Sequence, residues 1–209
     1  GVVEVHGKGG HPDAGPVELI FLMPSTQRPG DPDAGYHRLV NDPYVNCGIP
    51  SLIYQALAGA PPPEKQLPGR TGTNVNVAFN YTASIGKTGA EVVGPNCFTC
   101  HAEMMQGHLM VGLGNTTKDF TTDDSATIAA MAQFLTDPKD KAEHAKFSGR
   151  TSIIGPLIHT KTRGTNPADT LAAVIFAHRD QNTLVWSDTP LLPEPTQVLP
   201  VDVPPWWRM

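Results

Sequence analysis

Apolar residues in this chain occur in short stretches, separated by long polar runs that are rich in proline and glycine. The first stretch, Val17–Met23, is mostly apolar and ends at a proline, which predicts a short buried strand or extended segment. Residues 28–35 are dense in turn formers and predict a surface loop. After Pro50, apolar residues recur at helical spacing until Gly59, so we expect a helix there. Its buried face is expected to consist of Leu52, Ile53, Ala56 and Leu57.

Two helices are predicted in the middle of the chain, after a long loop at residues 69–90 that carries few large apolar side chains. Asn96 can cap the first helix, and Gly107 can end it. Thr122 or Asp123 begins the second helix. The buried stripe of the second helix is expected to be Ile128, Met131, Ala132 and Leu135.

Two more helices are predicted toward the C-terminus. Asp137 followed by a proline is typical of an N-cap and first helical position, and this helix is expected to be short and polar and to end near residue 147. Residues 148–165 are expected to form a loop. Asn166 begins the last helix, which runs to about Arg179 and is followed by a proline-rich tail without regular structure. The inner side of the last helix is expected to be Leu171, Val174, Ile175 and His178.

Composition narrows the classes of function. The 209 residues include 21 prolines and 20 glycines, so the core should be small for a chain of this length. The formal net charge is −5 and basic tracts are lacking, which disfavours nucleic acid as a partner. The longest apolar runs, such as Leu171–Ala177, are too short to span a membrane.

Cys97-Phe98-Thr99-Cys100-His101 has the C-x-x-C-H spacing, which is the attachment motif of c-type haem. Two thiols at this spacing lie about one helical turn apart, so both can reach the vinyl groups on one haem edge. The following residue can place an imidazole beneath the iron as the proximal ligand. The motif therefore predicts one covalent haem c on Cys97 and Cys100, with His101 as an iron ligand.

Two other interpretations of the cysteine pair compete with haem. Half of a zinc site would need a second C-x-x-C or a spaced histidine pair, and Cys47 alone is a poor complement. A thioredoxin-like dithiol would need a strand and a helix on either side, whereas residues 71–96 are rich in glycine, asparagine and threonine. Cys47 itself is expected to be a small buried apolar residue, with an intermolecular disulfide as the alternative.

Covalent haem implies export, so we expect a periplasmic or extracellular protein. No signal peptide is recognised, and this does not count against export because the sequence can begin after one has been removed. A glycine-rich run, residues 111–115, follows the motif. It can let the backbone approach a flat cofactor closely, or it can be an ordinary turn.

The order of parts around residues 97–179 resembles a class I cytochrome c, with a C-x-x-C-H helix, a glycine-rich loop, helices, a ligand-bearing loop and a final helix. The resemblance implies that the sixth iron ligand comes from the loop before the final helix, where His159 lies. The alternative is that His159 is an ordinary surface histidine. Other candidates for the sixth ligand, which are less well placed, are Met104, Met105, His108, Met110, Met131, His144, Lys161 and His178.

More broadly, the chain resembles the first haem domain of bacterial two-haem proteins of the cytochrome c peroxidase and rubber-oxygenase type. In that family a second C-x-x-C-H domain follows, and the three cysteines here leave none. We therefore expect either a free-standing single-haem relative or a chain that stops short of the second domain. The segments that carry the resemblance are residues 45–50, 67–71, 97–101, 112–115 and 204–207.

These patterns predict a mainly α fold, namely a cytochrome c-like helical haem domain with long irregular loops and proline-rich terminal extensions. Residues 91–185 are expected to form the haem domain. Residues 1–90 are expected to be a loop-rich N-terminal extension packed on that domain, and residues 186–209 a proline-rich tail.

Two functions follow from these expectations. The first is electron transfer between redox partners, with His101 and His159 holding a six-coordinate iron and no catalytic residue assigned. The second is an oxygenase or peroxidase domain whose iron is open or water-ligated, with Arg150 and Arg163 as the arginines that could lie near an O–O bond. The negative charge suits a cationic redox partner.

Trp206 and Trp207 stand next to each other near the C-terminus. Two indole rings are costly to leave in water, so we expect them to contact a second haem domain, a partner subunit or the surroundings of the haem. In the second interpretation they shape the distal pocket or lie on an electron path.

Overall fold

A computed structural model describes residues 29–206 of the chain and is about 40% helical and 13% strand. The fold is an α/β mixture, so the prediction of a mainly α, cytochrome c-like helical fold is wrong. The reason lies in residues 81–95 and 102–111, where no strand was expected and where the chain pairs as antiparallel strands. The expected loop covered residues 69–90, and the expected helix ran to Gly107. The extended segment predicted at Val17–Met23 lies outside the described residues, as does Trp207.

One antiparallel sheet consists of the strands β1 (Ile49–Pro50), β2 (Tyr81–Ile85) and β3 (Glu91–Pro95). The strands lie in the order β1-β3-β2, so β3 is central. Val92 and Val93 explain this position, because they are buried β-branched residues that fit a pleated surface. A tight turn joins β2 to β3, and within it Gly89 has a φ of 82° that favours glycine.

A second antiparallel sheet, within the described residues, is the hairpin of β4 (Ala102–Met105) and β5 (His108–Val111). Its two-residue turn, Gln106-Gly107, has positive φ at both positions, as the tight hairpin turns require. The helix that was expected to run to Gly107 ends at His101 instead, because the backbone is already extended at Ala102.

One α-helix of residues 29–206 was not predicted, and the others differ from the predicted helices mainly in their bounds. The first begins at Pro32, inside the segment that was expected to be a surface loop, and the helix predicted after Pro50 is confirmed and ends at Gly59. The helices are α1 (Pro32–Asn41), α2 (Ser51–Ala58), α3 (Phe98–His101), α4 (Ser125–Ala130), α5 (Pro138–Ile154) and α6 (Ala168–Ala177). Short 3-10 turns occupy Pro63–Lys65, Gly72–Asn76, Met131–Phe134 and Gly155–Leu157.

Helix α5 begins as predicted but is longer. The Asp137 side chain accepts a hydrogen bond from the Lys139 amide at 2.7 Å, which is the expected N-cap. The helix continues into the predicted loop and ends at Ile154, because no proline interrupts it before Pro156.

The predicted buried faces are correct only in part. Val174 and His178 at the end of α6 are buried as expected. In α2 the buried pair is Ile53 and Tyr54, whereas Leu52 and Leu57 are exposed. Of the stripe that was predicted around α4, only Leu135 is buried.

The core of the described residues contains two apolar clusters. One joins Val40 of α1 to Phe98 of α3, with Leu67, Phe79 and Ala102 between them. The other lies against the three-stranded sheet and consists of Tyr54, Val77, Ala83 and Val93.

The Arg70 side chain links the loops around this core. Its guanidinium donates to a series of backbone carbonyls, among them those of Val40 at 3.1 Å and Val77 and Tyr81 at 2.7 Å. Burial lowers the pKa of Arg70 to about 10. The loops expected at residues 69–90 are therefore ordered by one buried cation and its carbonyl acceptors.

The described residues from 32 to 206 belong to one compact unit. The division predicted at residues 90 and 185 stays a prediction. In the described part of the chain no helix is both long enough and apolar enough to cross a membrane.

Candidate haem-attachment site

The C-x-x-C-H residues lie on or next to one short helix, α3, which packs on the core through Phe98. Cys97 immediately precedes α3, and Cys100 and His101 belong to it. Asn96 accepts a hydrogen bond from the Phe98 amide at 2.9 Å, which confirms the predicted cap. Phe98 is 1% exposed and packs in the core. Because one side of α3 is buried in this way, both cysteines remain half-buried at the surface.

Each cysteine sulfur has a polar neighbour, and both thiols are free. Burial raises the pKa of Cys97, the nearby Cys100 raises it further, and a hydrogen bond with the Tyr44 hydroxyl opposes the rise. The Asn166 amide donates to the Cys100 sulfur at 3.1 Å. The two sulfurs are therefore free and lie on one turn of helix, each beside a polar side chain.

The surroundings of the His101 imidazole favour its neutral form. Burial lowers its pKa, and the nearby Pro204 carbonyl opposes this change. Its Nδ1 is nevertheless buried without a partner at hydrogen-bond geometry among the described residues. A neutral imidazole is the form that ligates a metal, and a ligating histidine usually donates from its second nitrogen to a carbonyl or carboxylate.

The C-terminal tail covers this helix. The Trp206 ring lies 5.4 Å from the His101 ring and 5.8 Å from the Phe98 ring, measured between centroids. The Trp206 amide also donates to the Gly112 carbonyl at 2.9 Å. Trp206 thus contacts the attachment helix, whereas the predicted contact of both tryptophans with a second domain or subunit stays a prediction.

The glycine-rich run at residues 111–115 lets the backbone approach this tail. Gly112 has a φ of 87°, and a Cβ there would lie 3.3 Å from the Trp206 ring. A Cβ on Gly114 would overlap the Val203 carbonyl. The tail is therefore the part of the described chain that approaches the glycine-rich run closely.

A pocket of about 310 Å³ lies against Cys100 and His101. Ala168 and Asp169 of α6 and residues 201–204 of the tail complete its wall. The free thiols and the imidazole with its unpartnered Nδ1 have the chemistry that attaches a haem. Of the motif, Cys100 and His101 line the pocket and Cys97 does not. The volume is at the lower end of the range for ligand pockets, so a larger group would have to displace residues 201–204.

His159, the predicted sixth ligand, lies outside this pocket. Its Nε2 is 4.0 Å from the Asp123 carboxylate and has no hydrogen-bond partner among the described residues. His144 and His178 are already engaged, since His144 Nε2 is 2.7 Å from the Ile128 carbonyl and both ring nitrogens of His178 have partners. Ligation by His159 stays a prediction.

The two arginines of the second interpretation also lie away from His101. Arg163 is 3.9 Å from the Asp119 carboxylate, and Arg150 lines a different pocket. Tyr44 and Pro204 are neighbours of the site that the sequence did not reveal as such. Pro204 belongs to the segment 204–207, which is one of those that carry the family resemblance, but nothing in the sequence indicated a role for Tyr44.

In the part of the chain that the structure describes, no group of three or more histidine, cysteine, aspartate or glutamate side chains is arranged to hold a metal ion. Comparisons of the chain with family models, with curated proteins and with solved structures found no match.

Proposed function

We propose that this chain is a c-type cytochrome that carries one haem on Cys97 and Cys100 and passes electrons between redox partners. The observation that carries the proposal is the C-x-x-C-H sequence on a single helix with free thiols and a neutral His101 beside a pocket. The haem, when bound, supplies an iron that gains and loses one electron. No catalytic residue is needed for this function.

The residues around the helix have distinct roles in this proposal. Cys97 and Cys100 would hold the haem edge, and His101, which has the Pro204 carbonyl nearby, would bind the iron through its imidazole. Trp206 packs its ring against the imidazole. The protein thereby fixes the ligand and its surroundings, which are the means by which a cytochrome sets its potential.

Denaturing mass spectrometry of the protein, produced in a host that attaches haem during export, tests the attachment. We expect the mass of the polypeptide plus one haem. The double variant Cys97→Ala/Cys100→Ala should show the bare polypeptide mass, because no thiol of the motif remains to add across a vinyl group, whereas Cys47→Ala should keep the haem adduct and serves as the control. A bare polypeptide mass for the parent would overturn the proposal.

The second candidate function is an oxygenase or peroxidase domain with an open or water-ligated iron. The observation that favours it is the position of His159, which is near Asp123 and does not line the pocket at His101. Binding of carbon monoxide to the reduced protein separates the two candidates, because an open sixth position binds it readily.

The proposal also includes a compartment and a partner. Covalent haem attachment places the protein outside the cytoplasm, in the periplasm or beyond. The net charge of −5 suits a redox partner with a positive surface. We further propose that a second haem domain or a subunit docks beside Trp206 and Trp207.

A further inference from the structure

A separate pocket of about 250 Å³ lies between residues 43–47 and two arginines, Arg150 of α5 and Arg179 just after α6. The Arg150 guanidinium stands over the Trp186 ring, 5.3 Å from its centroid. Its Nη1 lies 3.6 Å from the Cys47 sulfur, and its Nε is buried without a partner among the described residues. Most of the donors of Arg150 are therefore unused by the described part of the chain.

Arg179 also has guanidinium donors that the described residues do not use. One of its Nη1 hydrogens goes to the Leu184 carbonyl at 2.6 Å, and its other donors are not engaged by described residues. No carboxylate of residues 29–206 lies within 4.0 Å of either guanidinium in this pocket. By contrast, Arg70 is surrounded by carbonyls and Arg163 lies near Asp119.

Two positive charges on one small pocket repel each other unless an anion lies between them. A guanidinium presents a planar fork of donors that matches the oxygens of a carboxylate or a phosphate. Tyr44 also lines the pocket and can add a hydroxyl donor. This pocket therefore favours a small anionic ligand. Its arginines have unused donors, and no carboxylate of the described residues balances their charge.

We propose that Arg150 and Arg179 form a binding site for a small oxyanion of the carboxylate or phosphate class. This inference rests on the two arginines and does not depend on the proposed haem. The oxyanion can be a free ion, or it can be a carboxylate that belongs to a group bound covalently to the same chain.

Equilibrium dialysis with radiolabelled inorganic phosphate at low ionic strength tests the site. Two forms of the protein are compared. One is the parent as isolated, including any group attached to Cys97 and Cys100, and the other is the Cys97→Ala/Cys100→Ala variant. We expect saturable binding of one phosphate, weakened about tenfold to a hundredfold by Arg150→Gln or Arg179→Gln. Arg163→Gln removes the same charge outside the pocket and should leave binding unchanged. Arg179→Lys keeps the charge but loses the fork, so its loss should be smaller than that of Arg179→Gln.

The two forms of the protein distinguish the sources of the oxyanion. Binding by both forms supports a free ion, and binding by the cysteine variant alone supports a carboxylate of the attached group that already fills the pocket. Binding by neither form overturns the proposal, as does an equal loss in Arg163→Gln. Because Arg150 packs on Trp186, its substitution can affect folding; Arg179→Gln, checked by circular dichroism, is then the deciding variant.

Discussion

The rings of His101 and Trp206 lie with their centroids 5.4 Å apart and their planes tilted by 34°. One residue ends the C-x-x-C-H motif and the other belongs to the C-terminal tail, so this contact joins the candidate site to the last described residues of the chain. The tail also supplies the Pro204 carbonyl near the same imidazole. The environment of His101 is therefore built from both ends of a long stretch of sequence.

Trp206→Ala should lower the free energy of unfolding by about 2 kcal/mol, because it removes a large, partly buried ring from the surface of Phe98 and His101. Urea denaturation followed by circular dichroism measures the change. Trp206→Phe keeps an aromatic ring and should lose less than half as much. Equal stability of the parent and Trp206→Ala would contradict the packing role of the tail.

The hydrogen bonds of His178 predict that the free energy of unfolding falls at alkaline pH. Carbonyl and carboxylate oxygens face its two ring nitrogens, from Ser187 at 2.7 Å and Glu194 at 2.9 Å, so both nitrogens must donate. Burial alone would lower the pKa of His178, but the bonds to Glu194 and Ser187 outweigh burial and raise it.

A histidine whose pKa is raised by folding stabilises the protein fully below its unfolded pKa of about 6.5, and this contribution is lost as the pH rises through the folded pKa. Urea denaturation between about pH 6.5 and 8.5 should therefore show a declining free energy of unfolding. Glu194→Gln should cost about 1–3 kcal/mol at the lower pH and flatten the decline. An unchanged slope in this variant would show that His178 is not the group responsible.

A matched pair of glycine substitutions tests the close approach of the tail. Gly114→Ala places a Cβ against the Val203 carbonyl and should destabilise the protein by about 1–3 kcal/mol. Gly149 is exposed within α5 and has no atom within 4 Å of an added Cβ, so Gly149→Ala should stabilise by about 0.5–1 kcal/mol. Thermal unfolding compares the two variants, and similar effects of both would contradict the close contact between Gly114 and Val203.

The sequence allowed prediction of the features that depend on neighbouring residues. The Asn96 cap, the Asp137 cap and the C-x-x-C-H spacing are all local, and the two caps are found in the structure. The strand Ala102–Met105 was missed because its residues are good helix formers, and the turn at Gln106-Gly107 together with pairing to β5 overrides that preference.

Contacts between residues far apart in sequence could not be predicted in the same way. The strand Tyr81–Ile85 alternates apolar and polar residues over only five positions, and it acquires its structure by pairing with β3. Tyr44 reaches Cys97, and Pro204 reaches His101, only because the fold brings separate segments together. Such contacts have no periodic signature in the chain.

The last prediction concerns the sixth iron ligand and rests on the proposed haem. In the bis-histidine form, the reduced parent should bind carbon monoxide slowly or not at all, and His159→Ala should bind it readily, because the substitution opens the sixth position. Stopped-flow absorption measures both rates. The control is His108→Ala, a substitution of a histidine on the exposed β5 hairpin, and it should behave like the parent.

The structure places His159 near Asp123, so ligation requires the loop after α5 to leave that carboxylate. If the parent already binds carbon monoxide rapidly and His159→Ala changes nothing, His159 is not the ligand. The open-iron oxygenase or peroxidase function then becomes the better interpretation, while the attachment at Cys97 and Cys100 is unaffected.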